Sequence, residues 1–147
     1  AWVGVDASRA MLDRLAHATA GASAGAGTVQ GGESRQCSAV CFQASQRHGA
    51  TGAVALADFS QGLPFRAGAF DACVSVSAAQ WLSCAAAGNL AAKQCRLRRF
   101  FAAVRHCLKP GARVVLQVYP ADVRDTWTME DSLRRSGLVG GAVTDFP

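Results

Sequence analysis

Trp2-Val3-Gly4-Val5-Asp6-Ala7-Ser8-Arg9-Ala10-Met11-Leu12 begins as a short apolar run, closes it on an acid, and passes directly into helical spacing. Trp2–Val5 suits a pleated, half-buried surface. Ser8 offers a hydroxyl that can accept an N–H from a first helical turn. Met11, Leu12 and Leu15 then recur at helical intervals. The reading is strand, aspartate, helix. A strand ending in an acid returns at Val54-Ala55-Leu56-Ala57-Asp58, within a strand expected over Ala53–Ala57.

Working outward, Phe70–Ser77 is a further strand with Val74 and Val76 inside it. Lys93–Leu108 is the clearest helix, its apolar stripe formed by Leu97, Phe100, Phe101, Val104 and Leu108. Lys109-Pro110-Gly111 stops it, because proline cannot continue a helix and glycine permits the turn. Val114–Tyr119 is a strongly apolar strand ended by Pro120. Asp122–Ser136 is expected as a helix capped by Asp122 and closed near Gly137, and Val139–Thr144 as a last strand. The order is β-α-(insertion)-β-β-α-β-α-β, and buried strands alternating with helices imply a parallel sheet with helices on its faces.

Between these elements the composition shifts. Thr19–Gly52 is dominated by Ala, Gly, Ser and Gln, with Val29, Val40 and Phe42 its sizeable apolar residues besides cysteine. Such a stretch gains little burial against its ordering entropy. It is expected as a low-complexity, mostly disordered insertion, weakly helical over Cys37–Gln46. The organisation is therefore residues 1–18 (strand and helix), 19–52 (insertion) and 53–147 (the rest of one domain).

With 147 residues, half of them hydrophobic, the chain can bury one core. No apolar run approaches the roughly 18–20 residues of a membrane span, and no signal-peptide pattern opens the chain. The net charge of +5 suits a polyanionic partner without establishing one. The six cysteines, Cys37, Cys41, Cys73, Cys84, Cys95 and Cys107, are irregularly spaced, as expected of reduced thiols rather than a disulfide framework. Cys37-x3-Cys41 with His48 falls short of the four ligands of a structural zinc site, so no metal is expected.

Parallel α/β sheets bind ligands outside the carboxyl ends of their strands. There Asp6 can accept both hydroxyls of a ribose. Asp58 can accept the exocyclic amine of an adenine that Phe59 lies beside. Strand-end aspartates also cap the segments that follow them. Two of them at successive strand ends favour adenosine over capping.

At this point the residues resemble a known family. Trp2–Leu12 is similar to the strand, acid and Met-Leu segment of class I S-adenosylmethionine (SAM) methyltransferases. Asp58-Phe-Ser-Gln-Gly62-Leu-Pro64-Phe65-Arg-Ala-Gly68-Ala-Phe70-Asp71 resembles their adenine segment and the run into the next strand. Ser75-Val-Ser77-Ala-Ala-Gln80-Trp81-Leu82, Leu116-Gln117-Val118-Tyr119-Pro120 and Gly140-Gly141-Ala-Val-Thr-Asp145-Phe146-Pro147 narrow the resemblance to the eukaryotic enzymes that methylate guanine N7 in small-subunit ribosomal RNA. It covers residues 1–18 and 53–147. It implies an α/β Rossmann-like sheet with helices on both faces, in which the first strand, its glycine-rich loop and the final strand lie outside this chain. A chain that opens without Met on an apolar segment fits such a start inside a domain, and taken alone it is expected to be inactive.

The resemblance implies SAM as cofactor, held by Asp6, Ala7, Asp58, Phe59 and Ser75, with Gln80 and Trp81 as candidate substrate-binding residues. It implies as partners ribosomal RNA in the pre-small ribosomal subunit and a small zinc-binding activator protein adding strands near Val54–Leu56, with no membrane. It implies ribosome biogenesis in the nucleus (nucleolus and nucleoplasm), with the cytoplasm as a second location. Guanine N7 has a free lone pair and loses no proton on attack, so alignment carries much of the catalysis and no acid or base residue is required. The place after the Phe70–Ser77 strand reads Ser77-Ala78-Ala79-Gln80-Trp81, not the Asn/Asp-Pro-Pro-aromatic motif of exocyclic-amine methylation.

Blander roles compete. Trp81 suits core or lid packing as well as base stacking. Arg96, Arg98, Arg99, Arg105 and Lys109 read as a solvated helix face before a phosphate contact, and His106 as a partner of the helix dipole. A small-molecule SAM methyltransferase and a catalytically inactive methyltransferase-like binding fragment are the alternatives.

Overall fold

The computed structural model describes residues 2–8, 10, 43–47, 50–84 and 88–145. The chain divides into two compact units, Ala1–Phe59 and Ser60–Pro147.

The first unit holds a three-stranded sheet of β1 (Trp2–Asp6), β2 (Gln43–Arg47) and β3 (Ala50–Leu56), ordered β1-β3-β2. β1 and β3 are parallel, from Trp2 opposite Gly52 to Asp6 opposite Leu56. The Ala57 N–H extends the ladder by one bond, donating to the Asp6 carbonyl at 3.0 Å. Ala55 and Ala57 are buried.

β2 corrects the reading of Thr19–Gly52. Gln43–Arg47 is a strand antiparallel to β3, with Gln43 opposite Val54 and Arg47 opposite Ala50, and β3 itself begins at Ala50. The helical expectation fails at least over Gln43–Gln46. Backbone pairing to a strand already held by β1 outweighs the poor burial potential of Gln-Ala-Ser-Gln-Arg. A signal was present: two residues, His48-Gly49, separate the paired ends, a hairpin spacing with glycine second. Residues 11–42 and 48–49, which hold most of the helix expected after Asp6 and the Cys37/Cys41/His48 group, lie outside the described residues. The free β3 edge expected near Val54–Leu56 is partly taken, since β2 pairs with Ala50 to Val54.

The second unit is built on β4 (Phe70–Val76) and β5 (Leu108–Gln117), a parallel pair, with α1 (Trp81–Cys84), α2 (Leu90–Cys107) and α3 (Val123–Arg135). α2 starts three residues before the expected Lys93, because Asn89 caps it: its side-chain oxygen accepts the Ala92 N–H at 2.9 Å. Its stripe of Leu97, Phe100, Phe101, Val104 and Cys107 is buried, with Leu82 of α1 and Leu108 beside it. α2 packs against α3 and β5. The helix ends where expected, yet β5 starts at once. Phe70 pairs with Leu108 and Ala72 with Arg113, so Lys109-Pro110-Gly111-Ala112 form a bulge inside the strand rather than a loop before it.

α3 matches its expectation. The Asp122 carboxylate accepts the N–H groups of Arg124 and Asp125 at 2.6 and 3.0 Å. At the other end, the Gly137 N–H bonds to the Arg134 carbonyl and the Leu138 N–H to the Leu133 carbonyl, with Gly137 at φ 79°. This paired arrangement closes the helix with a left-handed residue. The last strand expected at Val139–Thr144 is absent. The segment is irregular, Val139 and Val143 stand in solvent, and the Ala142 N–H bonds to the Glu130 carboxylate at 2.7 Å instead of a strand neighbour.

The four described cysteines, Cys73, Cys84, Cys95 and Cys107, are free, as expected. Burial raises the Cys73 thiol pKa above its ordinary value, the nearby Cys107 adding to the effect, and burial likewise raises that of Cys107. A raised pKa leaves less of each as the reactive thiolate at neutral pH. No group of metal-ligating residues is found among the described residues.

Lys93 of α2 and Asp125 of α3 form an ion pair with side chains only 18% and 9% exposed. Removing one partner strands the other in a largely buried site, which typically costs about 3–5 kcal/mol. Asp125→Ala is therefore expected to lower unfolding stability by about 3 kcal/mol, measured by chemical denaturation. Conversely, the Ser132 hydroxyl is fully buried and meets no partner among the described residues. Ser132→Ala should raise stability by about 1 kcal/mol, since an unpaired buried hydroxyl keeps its desolvation cost. An unchanged denaturation midpoint in that variant would show that the hydroxyl finds a partner.

Candidate functional site

Parallel pairing decides where the acids go. Asp6 ends β1, and Asp58 follows β3 by two residues, so both lie at the carboxyl edge of the same parallel pair. Asp6 is half-buried and its Oδ1 accepts the Ser8 N–H at 2.7 Å. Its Oδ2 accepts no hydrogen bond among the described residues. The turn after the strand thus fixes the carboxylate with one oxygen still available. The Ser8 backbone N–H thus closes an Asx-type turn with the Asp6 side chain, and the helix that the Ser8 hydroxyl was expected to cap lies largely outside the described residues. Ala7 and Asp58 are exposed, and Phe59 is half-buried at the start of the turn after β3.

Ser75, Gln80 and Trp81 belong to the second unit. Ser75 is half-buried in β4 opposite Leu116, on the face that carries Cys73. β4 ends at Val76, and Ser77 follows with φ 51°. The left-handed region is uncommon for a non-glycine residue and is a mark of functional turns. Gln80 is half-buried, and its carbonyl oxygen accepts the Tyr119 N–H at 3.2 Å. Trp81 is 63% exposed, so it is not a core residue of this unit.

Three residues that sequence reasoning missed complete this edge. The Ser77 hydroxyl donates to Gln117 Oε1 at 2.9 Å, and Gln117 Nε2 donates to the Tyr119 hydroxyl at 2.8 Å. The Ser77 N–H also bonds to the Gln117 carbonyl at 3.0 Å. Their signal was position: Gln117 and Tyr119 stand at the end of a predicted parallel strand, where ligands bind. A cleft of about 870 Å³ borders β5 and α3, with Gln80, Tyr119, Arg105 and Met129 among its lining. Arg98, Arg99 and Arg105 are exposed, and Lys109 is paired with Asp71 at 2.6 Å, which lowers the Asp71 pKa.

Strand-end acids on one parallel pair, and a polar, aromatic strand end on another, each lie where a parallel α/β sheet binds ligands. The comparison with known proteins agrees: a family model described as a methyltransferase domain matches residues 1–116. The chain belongs to the methyltransferase-domain family, whose class I fold implies use of SAM. Among its relatives, the 18S rRNA (guanine-N(7))-methyltransferases of Mus musculus and Bos taurus are each 35% identical to it over 146 and 147 residues, 99% of this chain. The 18S rRNA (guanine(1575)-N(7))-methyltransferase of Saccharomyces cerevisiae is 42% identical over 96 residues, covering 65% of this chain and 34% of its own length. The chain spans 41% of the length of the two mammalian relatives.

Proposed function

We propose that the protein carrying this chain transfers a methyl group from SAM to N7 of a guanine in small-subunit ribosomal RNA. The observation that carries the reading is the placement of Asp6 and Asp58 at one carboxyl edge, in a chain that aligns over 99% of its length with guanine-N7 rRNA methyltransferases. The residues fit the cofactor. Asp6, with one oxygen fixed by Ser8, would accept the ribose hydroxyls; Asp58 would accept the adenine amine and Phe59 would lie against the ring. Ala7 follows Asp6 at the end of β1, and Ser75 lies near the end of β4 in the second unit; both are proposed as further cofactor contacts. When bound, SAM supplies a methyl group on a charged sulfonium. The protein's task is then to orient the base and exclude competing nucleophiles, and no acid or base residue is needed.

The substrate is the pre-small ribosomal subunit, and the activity belongs to ribosome biogenesis in the nucleus. The net charge of +5 suits an RNA partner. A small zinc-binding activator protein that adds strands to a sheet edge would meet β2, or displace it, because β2 occupies most of the β3 edge.

Incubating the complete protein with methyl-labelled SAM and small ribosomal subunits lacking the modification should place the label on guanine N7, seen by mass spectrometry of RNA digests. Label found only in small molecules would refute the substrate. In the same protein, Asp6→Ala should weaken SAM binding by roughly 1.5–3 kcal/mol, the worth of a hydrogen bond to a charged group. Unchanged affinity in titration calorimetry would remove Asp6 from the site.

A further inference from the structure

The carboxyl end of the β4–β5 pair is a hydrogen-bond chain whose polarity can be followed atom by atom. The Tyr119 backbone N–H can only donate, so the Gln80 group facing it at 3.2 Å is the carbonyl oxygen. The other end of that amide, Nε2, meets no acceptor among the described residues. The Tyr119 hydroxyl already accepts from Gln117 Nε2, which leaves its own hydrogen to donate outward. Gln117 is spent on both sides, accepting from Ser77 and donating to Tyr119. The edge thus presents donors, beside two rings, Trp81 and Tyr119, that are 63% and 66% exposed. Gln80 stands on a firm backbone, since its carbonyl accepts the N–H groups of Ser83 and Cys84 at the start of α1.

Resting on the reading of the protein as a guanine methyltransferase, we propose that Gln80 is its specificity-determining residue, donating to O6 of the target guanine, with Gln117 as a positioning residue that holds Tyr119 beside the base. The chemistry selects one purine. Guanine shows O6 and N7 as adjacent acceptors on one edge, whereas adenine has a donor amine where O6 would be. A donor directed at O6 identifies guanine while leaving the N7 lone pair free to attack. Adenine would oppose donor to donor and leave the Gln80 amide unpaired, and a buried unpaired group is what makes such discrimination steep.

The test uses the complete protein and an RNA fragment carrying the methylated guanine, beside the same fragment with 2-aminopurine there, which keeps N7 and lacks O6. The readout is the guanine to 2-aminopurine ratio of kcat/KM, because coupling between residue and base cancels effects each has alone. Gln80→Ala should reduce that ratio roughly five- to tenfold, the worth of one hydrogen bond. Gln80→Glu, similar in shape and folding but without donors, should do so at least as strongly. Gln117→Leu should reduce the ratio less and raise KM more than it lowers kcat. Variants that lose activity equally on both bases, or keep the ratio, would overturn the assignment. A wild-type protein inactive on every ribosomal RNA guanine would overturn the function itself, an outcome distinct from an active enzyme whose ratio ignores Gln80.

Discussion

Parallel pairing of neighbouring strands is the constraint on which the rest depends. An antiparallel pair brings the end of one strand to the start of the next. A parallel pair collects carboxyl ends at one edge, where the following turns must also lie. The β1–β3 ladder does this for Asp6 and Asp58, and the added Ala57 to Asp6 bond carries it past the strand's end. The β4–β5 ladder does the same, independently, for Ser77 and Gln117. Residues remote in sequence become neighbours through backbone geometry alone, and their side chains need only be polar and suitably long.

The helices explain why the second unit keeps that geometry. α2 contributes one stripe of apolar side chains, and every larger member of it is buried. The polar contact between α2 and α3 is a single, largely buried ion pair, which fixes register more than it adds net stability. The caps at Asn89 and Asp122 set where each helix begins, and the left-handed Gly137 sets where α3 ends. The strand ends carrying Gln80 and Tyr119 are held by this frame rather than by one another alone.

Much of this was legible from residues alone. The α2 stripe, the Asp122 cap, the Gly137 stop and the two strand-end acids are local signals, readable because period and cap chemistry act within one or two turns. What escaped depends on pairing across the chain. β2 has a polar composition that no burial argument would make a strand; its partner makes it one. The bulge at Lys109–Ala112 reads as a loop until the register with β4 is known. Val139–Thr144 has strand-forming residues but no neighbouring strand to bond among the described residues. Of the candidate site residues, Asp6, Asp58, Gln80 and Trp81 were proposed from position and family resemblance, whereas Gln117 and Tyr119 emerge only through hydrogen bonds to residues about forty positions away.

One face of the β4–β5 pair has a practical consequence. Val74, Val76 and Val115 alternate outward with Arg113 and Gln117 between the strands, and the three valines are 58–70% exposed. Parallel sheets are ordinarily covered on both faces, and contiguous exposed apolar surface drives self-association. Produced without whatever covers that face, the chain should be poorly soluble, precipitating as its concentration rises and binding hydrophobic dyes while its helices stay folded. Aspartate or lysine at Val74 or Val115 would cure the stickiness at little cost to the core, since neither side chain contributes to it, and would give a tractable form of this chain for biophysical work.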